Sequence, residues 1–269
     1  MKHSDLKEFP EIKPSDRILI LAPHIDDEVI SSAGVIQQAK QKGAEVIIIY
    51  ATNGDDPPYT PIKRLLSSRW FISFGKKRMA EAKKAASFLG LNNDNLIFLG
   101  YPDKGLKAML DNQAAFTSES TRLNYNPYSE TYRQKQSYTR ENLINDLTSI
   151  TASFKPTMVI VSHPKDNHPD HQSLFWFWQE VMIQNNLNLN QYAYLVHFKS
   201  YPNKRGWLQP PIKLANSSWH NFDLSPIQKQ KKLAAVKANA SQLARLSVRD
   251  LLKALVRENE IFEKINLQP

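Results

Sequence analysis

The sequence predicts an α/β domain built on a mostly parallel sheet with helices on both faces. Three observations carry this. Short runs such as RILILA (17–22), EVIIIYA (45–51) and TMVIVS (157–162) carry only apolar residues between their ends, as strands buried on both faces do. Between them lie stretches with apolar residues at helical spacing. The two kinds of segment alternate along the chain, which makes consecutive strands parallel.

The elements follow in order. Residues 17–22 read as a buried strand. Residues 27–42 carry Val29, Ile30, Ala33, Ile36 and Ala39 on one helical face, and Gly43 ends that helix. Residues 45–51 are a second strand, 74–89 a second helix stopped by Gly90, and 95–99 a third strand. Residues 101–140 break the rhythm. They are rich in Tyr, Ser, Asn and Thr, and five tyrosines favour an ordered substrate-side rim or lid over disorder. The alternation resumes with a helix over 141–154, a strand over 157–162, a helix over 171–185 and a strand over 191–198. Residues 200–224, with Pro202, Pro210 and Pro211, read as an irregular second substrate-side loop. Helices are expected through 225–269. Ser225-Pro226 opens one that runs to about residue 244, and Ser247 caps a last one. No repeat or compositional break divides the chain, so all 269 residues read as one domain. The arrangement is Rossmann-like, and in such sheets ligands bind at the C-terminal strand edge.

Composition narrows the chemistry. There is no cysteine, so disulfides, thiolate nucleophiles and Cys-based zinc sites are excluded. No apolar run approaches the roughly 20 residues of a membrane span. The opening MKHSDLKEFPEIKPSD has no apolar signal core, so a cytoplasmic location is expected. Lys and Arg outnumber Asp and Glu by 35 to 26, a net charge of +9. Those basic residues are spread out, with no recognition motif and no aromatic interleaving, so no nucleic-acid partner is expected. No G-x-S-x-G, P-loop or G-x-G-x-x-G occurs, which sets aside serine hydrolases and nucleotide binding.

Two stretches carry the chemistry: ILILAPHIDDEVI (18–30) and VIVSHPKDNHPDHQ (159–172). Each directly follows a predicted strand, so segments remote in sequence meet on one sheet edge. His24, His163, His168 and His171, four of the seven histidines, join Asp26, Asp27, Asp166 and Asp170 there. So many titratable groups in a dry place are costly unless a cation resolves them. Imidazole with carboxylate suits Zn²⁺ or Fe²⁺, and three ligands with an open position make a hydrolytic centre. His24 and Asp27 are three apart across a strand-to-helix turn and can face one point. The adjacent Asp26 and Asp27 cannot both do so, so one ligates and the other is left for proton transfer. His197, after the run YLV, reads as a core or strand-end histidine ahead of a pocket-lining one, and Trp176 and Trp178 as packing residues ahead of sugar-stacking ones.

The pair PHIDDE (23–28) and HPDH (168–171) resembles the signature of the PIG-L/LmbE family of metal-dependent N-acetylglucosaminyl deacetylases, with Ile25 where the family usually has Pro. RMAE (78–81) followed by Leu89-Gly90, and YPDKGL (101–106), resemble further family segments in the same order. The resemblance implies a zinc-dependent hydrolase, with Fe²⁺ as the alternative, that removes an acetyl group from the amine of an N-acetylglucosamine-type sugar or conjugate. It implies His24, Asp27 and His171 as metal ligands, Asp26 as general base and His168 as the second catalytic residue. It also implies Arg78 and Asp103 as substrate contacts. Glu28, Asp166 and Asp170 are expected to support these residues from behind. Some members have a tyrosine where Asp166 stands, so the oxyanion partner falls to a tyrosine of the 125–138 loop or to His168 alone. A metal phosphoesterase and a basic nucleic-acid-binding protein are the competing readings.

Overall fold

The structure, a computed structural model, describes residues 6–57 and 65–265. Its strands are β1 (Lys7–Glu8), β2 (Arg17–Ala22), β3 (Glu45–Thr52), β4 (Leu96–Tyr101), β5 (Met158–Ser162), β6 (Asn190–Tyr194), β7 (Trp219–Asp223) and β8 (Asn259–Ile265). Its helices are α1 (Asp27–Lys42), α2 (Ser68–Phe88), α3 (Leu106–Asp111), α4 (Arg140–Phe154), α5 (Pro169–Gln184), α6 (Pro226–Ala238), α7 (Ala240–Leu243) and α8 (Leu246–Ala254). All eight strands lie in one sheet, in the order β1-β7-β8-β6-β5-β2-β3-β4. The five strands from β4 to β6 are parallel. β8 runs antiparallel to both β6 and β7.

Alternation along the strands builds two cores. Ile18, Ile20 and Ala22 of β2 join Val46, Ile48, Met158 and Ile160 on one face. Leu19 and Leu21 join Ile49, Ala51, Val159 and Val161 on the other. Nearly every residue inside these strands is thus buried whichever way it points, which is why polar residues such as Arg17, Glu45, Thr52 and Ser162 stand only at the strand ends. α1, α2 and α6 cover the first face, and α3, α4 and α5 the second.

The chain order explains where a site can form. From β2 it moves through β3 to β4 on one side, then returns to β5 and β6 on the other. β2 and β5 are therefore neighbours at a topological switch point, where a crevice opens beyond their C-terminal ends. A buried staple fixes α1 over this point. Lys232 Nζ donates to Glu260 Oε1 at 2.7 Å, and Glu260 accepts from the Gly34 amide at 3.0 Å.

Several expectations are corrected. α2 begins at Ser68, not 74, because the Ser67 hydroxyl caps it by accepting from Trp70 N at 3.3 Å. Trp70 is exposed, so the apolar period starts only after it. Residues 101–140 contain α3, and 200–224 contain β7. β6 ends at Tyr194, short of 198. Ser247 does not cap α8; Arg245 holds that position without a side-chain hydrogen bond. Residues 225–269 are not helical throughout, since β8 closes the described chain as a sheet strand. Among the described residues no helix is long and apolar enough to cross a membrane.

Candidate active site

The chain leaves β2 at Pro23, whose carbonyl accepts from the Thr52 amide and hydroxyl at 3.0 and 2.9 Å. It then turns through Asp26, whose φ of 103° is left-handed. That conformation costs a non-glycine residue about 1–3 kcal/mol and persists only where the surroundings impose it. Here Glu28 accepts from the Asp26 amide at 3.1 Å and from the Tyr50 hydroxyl at 2.7 Å. Arg78 donates to Asp26 Oδ2 at 3.1 Å and to the carbonyls of Ile25 and Gly54. Asp26 occupies the N-cap position of α1 yet makes no cap hydrogen bond, so its carboxylate faces the cavity.

An added Cβ at Gly54 would fall 1.6 Å from Arg78 Nη1, and Gly54 itself has a φ of 58°. Gly54→Ala is expected to cost about 1–3 kcal/mol and to lower turnover by displacing Arg78 from Asp26. Denaturant melts beside kcat check this; an unchanged kcat would show that Arg78 does not hold the carboxylate.

The second cluster opens α5. His168 is its N-cap, with Nδ1 accepting from the Asp170 amide at 3.2 Å, and Pro169 follows at N1. His171 lies three residues on, over the same turn.

These partners set the tautomers. Because His168 Nδ1 accepts, its proton sits on Nε2. His171 faces Asp166 Oδ2 with Nδ1 and Asp27 Oδ2 with Nε2, both at 3.3 Å. Neither nitrogen makes a well-angled hydrogen bond, although the side chain is fully buried. His24 faces Asp170 and Asp103 with Nε2, at 3.2 and 3.3 Å, and Asp27 with Nδ1 at 3.5 Å. Asp27 therefore stands between one nitrogen of each histidine, and each far nitrogen is backed by a carboxylate. Metal-binding histidines are held this way, and two imidazoles with a carboxylate fit Zn²⁺ or Fe²⁺.

Among the described residues two groupings have ligand atoms all within 4.8 Å of one another: His24, His168 and His171, and His24, Asp103 and Asp170. The first requires His168 to lose the proton on Nε2. In the second, Asp170 already accepts from the amides of Lys104 and Leu106 at 2.7 and 3.1 Å.

Electrostatics sorts the groups further. Burial works against charge on His24 and His171, but the surrounding carboxylates raise both, His171 to about 10. Asp27, despite its burial, is held well below the usual carboxylate range by His171 and His24. Burial and the neighbouring imidazoles push His168 down to about 2 and His197 down to about 4. Burial lifts Asp26 to about 7 against the pull of Arg78, and lifts Glu28 to about 8. The space around Asp27 thus calls for positive charge, which two imidazole protons or one divalent cation can supply.

Asp166 ties the parts together. Its carboxylate accepts from the amides of His168, Val196 and His197, each at 2.9 Å, while facing His171. It is fully buried and lines no part of the cavity. That cavity, about 340 Å³, has a polar lining that includes His24, Asp26, Asp103, Lys104 and His168. Its apolar lining comes largely from Val196, Val248, Leu251 and Leu252.

The cluster read from sequence is brought together, with corrections. Arg78 lines the cavity, but its guanidinium is turned on Asp26 and two carbonyls. His163 faces away, pairing with Glu263 at 2.6 Å and stacking on Trp219. His197, read as a core or strand-end residue, lines the cavity. Residues 200–224 line none of it; Ser247, Val248, Leu251 and Leu252 of α8, which packs on α6 and α7, take that place. No tyrosine of the 125–138 loop reaches the site. Tyr128 donates to Asp55 at 2.6 Å, Tyr138 is fully buried, and Tyr125 and Tyr132 are exposed. Trp178 packs as expected, donating to Gln191 at 2.9 Å, whereas Trp176 is exposed.

The same fold occurs in solved structures. The chain is 19% identical to the A40926 pseudoaglycone deacetylase Dbv21, with a TM-score of 0.61 over 95% of this chain and 99% of that one. It is 19% identical to the N,N'-diacetylchitobiose deacetylase from Pyrococcus horikoshii, with a TM-score of 0.59 over 93% and 84%. It also shares its fold with GalB, a 4-carboxy-2-hydroxymuconate hydratase from Pseudomonas putida, at 15% identity and a TM-score of 0.60 over 94% and 97%. The fold therefore serves more than one reaction, and the residues at the strand edge must decide. The model of the PIG-L family, described as GlcNAc-PI de-N-acetylase, matches residues 19–182, a span that contains both histidine–aspartate clusters. The chain belongs to the PIG-L family of de-N-acetylases.

Proposed function

We propose that this PIG-L family deacetylase removes the acetyl group, or a related acyl group, from the amine of an N-acetylglucosamine-type sugar or conjugate. Zn²⁺, or alternatively Fe²⁺, is held by His24, Asp27 and His171. The observation that carries the reading is Asp27 between two imidazole nitrogens whose far sides are backed by carboxylates. Beside it stands one more carboxylate, Asp26, restrained by Arg78 and assigned to no metal. The chitobiose deacetylase among the solved relatives supports an acetylated amino sugar as the substrate class.

A divalent cation bound there supplies Lewis-acid polarisation of the amide and lowers the pKa of water from 15.7 toward about 7. The chain's own groups do the rest. Asp26, raised into the neutral range, takes the proton of the attacking water. His168, its proton fixed on Nε2, donates to the acyl oxygen as charge builds there. As the C–N bond breaks, the proton held by Asp26 passes to the leaving amine, and acetate and a free amino sugar are released. Asp103 and Lys104 offer polar groups for sugar hydroxyls, and the α8 side chains exclude water.

A phosphoesterase is less well supported. The remaining carboxylates, Asp103 and Asp170, are turned onto His24 rather than gathered around a second metal. The test is acetate release from a panel of N-acetylglucosamine conjugates, using protein loaded with one Zn²⁺ per chain. Acetate and free amine in equal amounts are expected. Cleavage of a phosphoester without acetate release would replace this reading.

A further inference from the structure

His197 lines the cavity but has no part in the mechanism above. We propose that His197 donates its ring N–H to the acyl oxygen of the substrate as negative charge builds there, beside His168. The proposal rests on the deacetylase reading.

Placement comes first. His197 follows β6 on the same strand edge as the two clusters. Its amide donates to Asp166 at 2.9 Å, and its carbonyl accepts from the Asn167 amide at 2.6 Å. Both clamps come from the loop that leads into His168 and His171, so the ring is held in register with them. Its centroid lies 5.4 Å from that of His168 and 5.1 Å from that of His171, nearly perpendicular to the latter at 73°. The side chain is half-buried, and among the described residues no hydrogen bond holds its ring nitrogens. An imidazole clamped by its backbone, with its polar atoms uncommitted in a cavity, is arranged to meet a ligand.

Chemistry says which part of the ligand. Amide hydrolysis forms a C–O bond while the carbonyl electron pair moves onto oxygen. Preformed donors at that oxygen act without reorganising. The other candidate donors besides His168, the tyrosines of the 125–138 loop, fall away because they do not reach the site. His197 hydrogen-bonds to the oxygen without giving up its proton. When the intermediate collapses, the pair returns, the C–N bond breaks, and the amine takes the proton that Asp26 held.

The test uses the full chain loaded with Zn²⁺. His197→Phe keeps the ring's bulk and removes the donor; His197→Gln restores an N–H. The Phe variant is expected to lose about 100- to 1,000-fold in kcat, the usual effect of removing one such donor, with KM and metal content unchanged. The Gln variant should recover a large part of that loss. The proposal is overturned if the Phe variant keeps its kcat, if the loss lies wholly in KM, or if Gln does no better than Phe. Should the wild type itself release no acetate, the deacetylase reading fails, and the ring ¹⁵N resonances of His197 decide this proposal separately. Added acetate, which presents acyl oxygens, shifts them if the ring faces that position and leaves them unmoved if it does not.

Discussion

Asp26→Asn should keep the fold and the metal while turnover falls by about a hundred- to ten-thousand-fold, the range general-base catalysis contributes. The substitution is matched to its place. Asparagine tolerates the left-handed φ of 103° at least as well as aspartate, so the turn survives. Its amide oxygen can still accept from Arg78, now 3.1 Å from Asp26 Oδ2. Asp27, His24 and His171 are untouched, so metal content should equal that of the wild type. What disappears is a carboxylate able to take a proton. Metal analysis beside steady-state kinetics checks both halves, and turnover within a few-fold of the wild type would remove Asp26 from the chemistry.

Asp166→Ala should be the most damaging change among residues that never touch substrate. It strips the acceptor from three amides at once, those of His168, Val196 and His197, and removes the partner of His171 Nδ1. Each orphaned buried donor costs about 1–3 kcal/mol, and water entering the gap recovers part, so a loss of roughly 3–5 kcal/mol is expected. Zn²⁺ affinity should also fall about 10- to 100-fold, because an unoriented imidazole binds less well. Asp166→Asn, which keeps one acceptor oxygen, should fall between the two proteins. Urea melts of metal-free protein separate the stability effect from the metal effect. A loss below about 1 kcal/mol would contradict the role given to this carboxylate, since even one orphaned donor costs that much.

How far the sequence could be read depended on which forces leave a local trace. β2, α1 and β3 were legible because a strand buried on both faces must be apolar between its ends, and because Gly43 stops α1 with a φ of 84°. The two histidine–aspartate clusters were legible because ionisable groups gathered at the end of a buried strand are costly unless a cation holds them. β8 was not. Its sequence NEIFEKI puts Glu260 in the core, and only partners distant in sequence, Lys232 and the amides of Gly34 and Val35, make that tolerable. α8 looked like any amphipathic helix; nothing local says that Val248 and Leu251 face a cavity rather than the core. His197 was within reach, since it follows a strand on the same edge as the clusters and the placement argument applied to His24 applies to it. The division of roles between His168 and His171 came only from the family resemblance; the spacing of the residues does not give it, because it lies in which ring nitrogen each neighbour occupies.

The metal centre stands or falls on that difference, and metal content of His168→Ala beside His171→Ala is the measurement that tests it. With Zn²⁺ held by His24, Asp27 and His171, the His168→Ala protein should retain one metal per chain while losing turnover, and the His171→Ala protein should retain none. If His168→Ala loses the metal and His171→Ala keeps it, the centre is built on the other imidazole, and the proton assigned to His168 Nε2 is wrong.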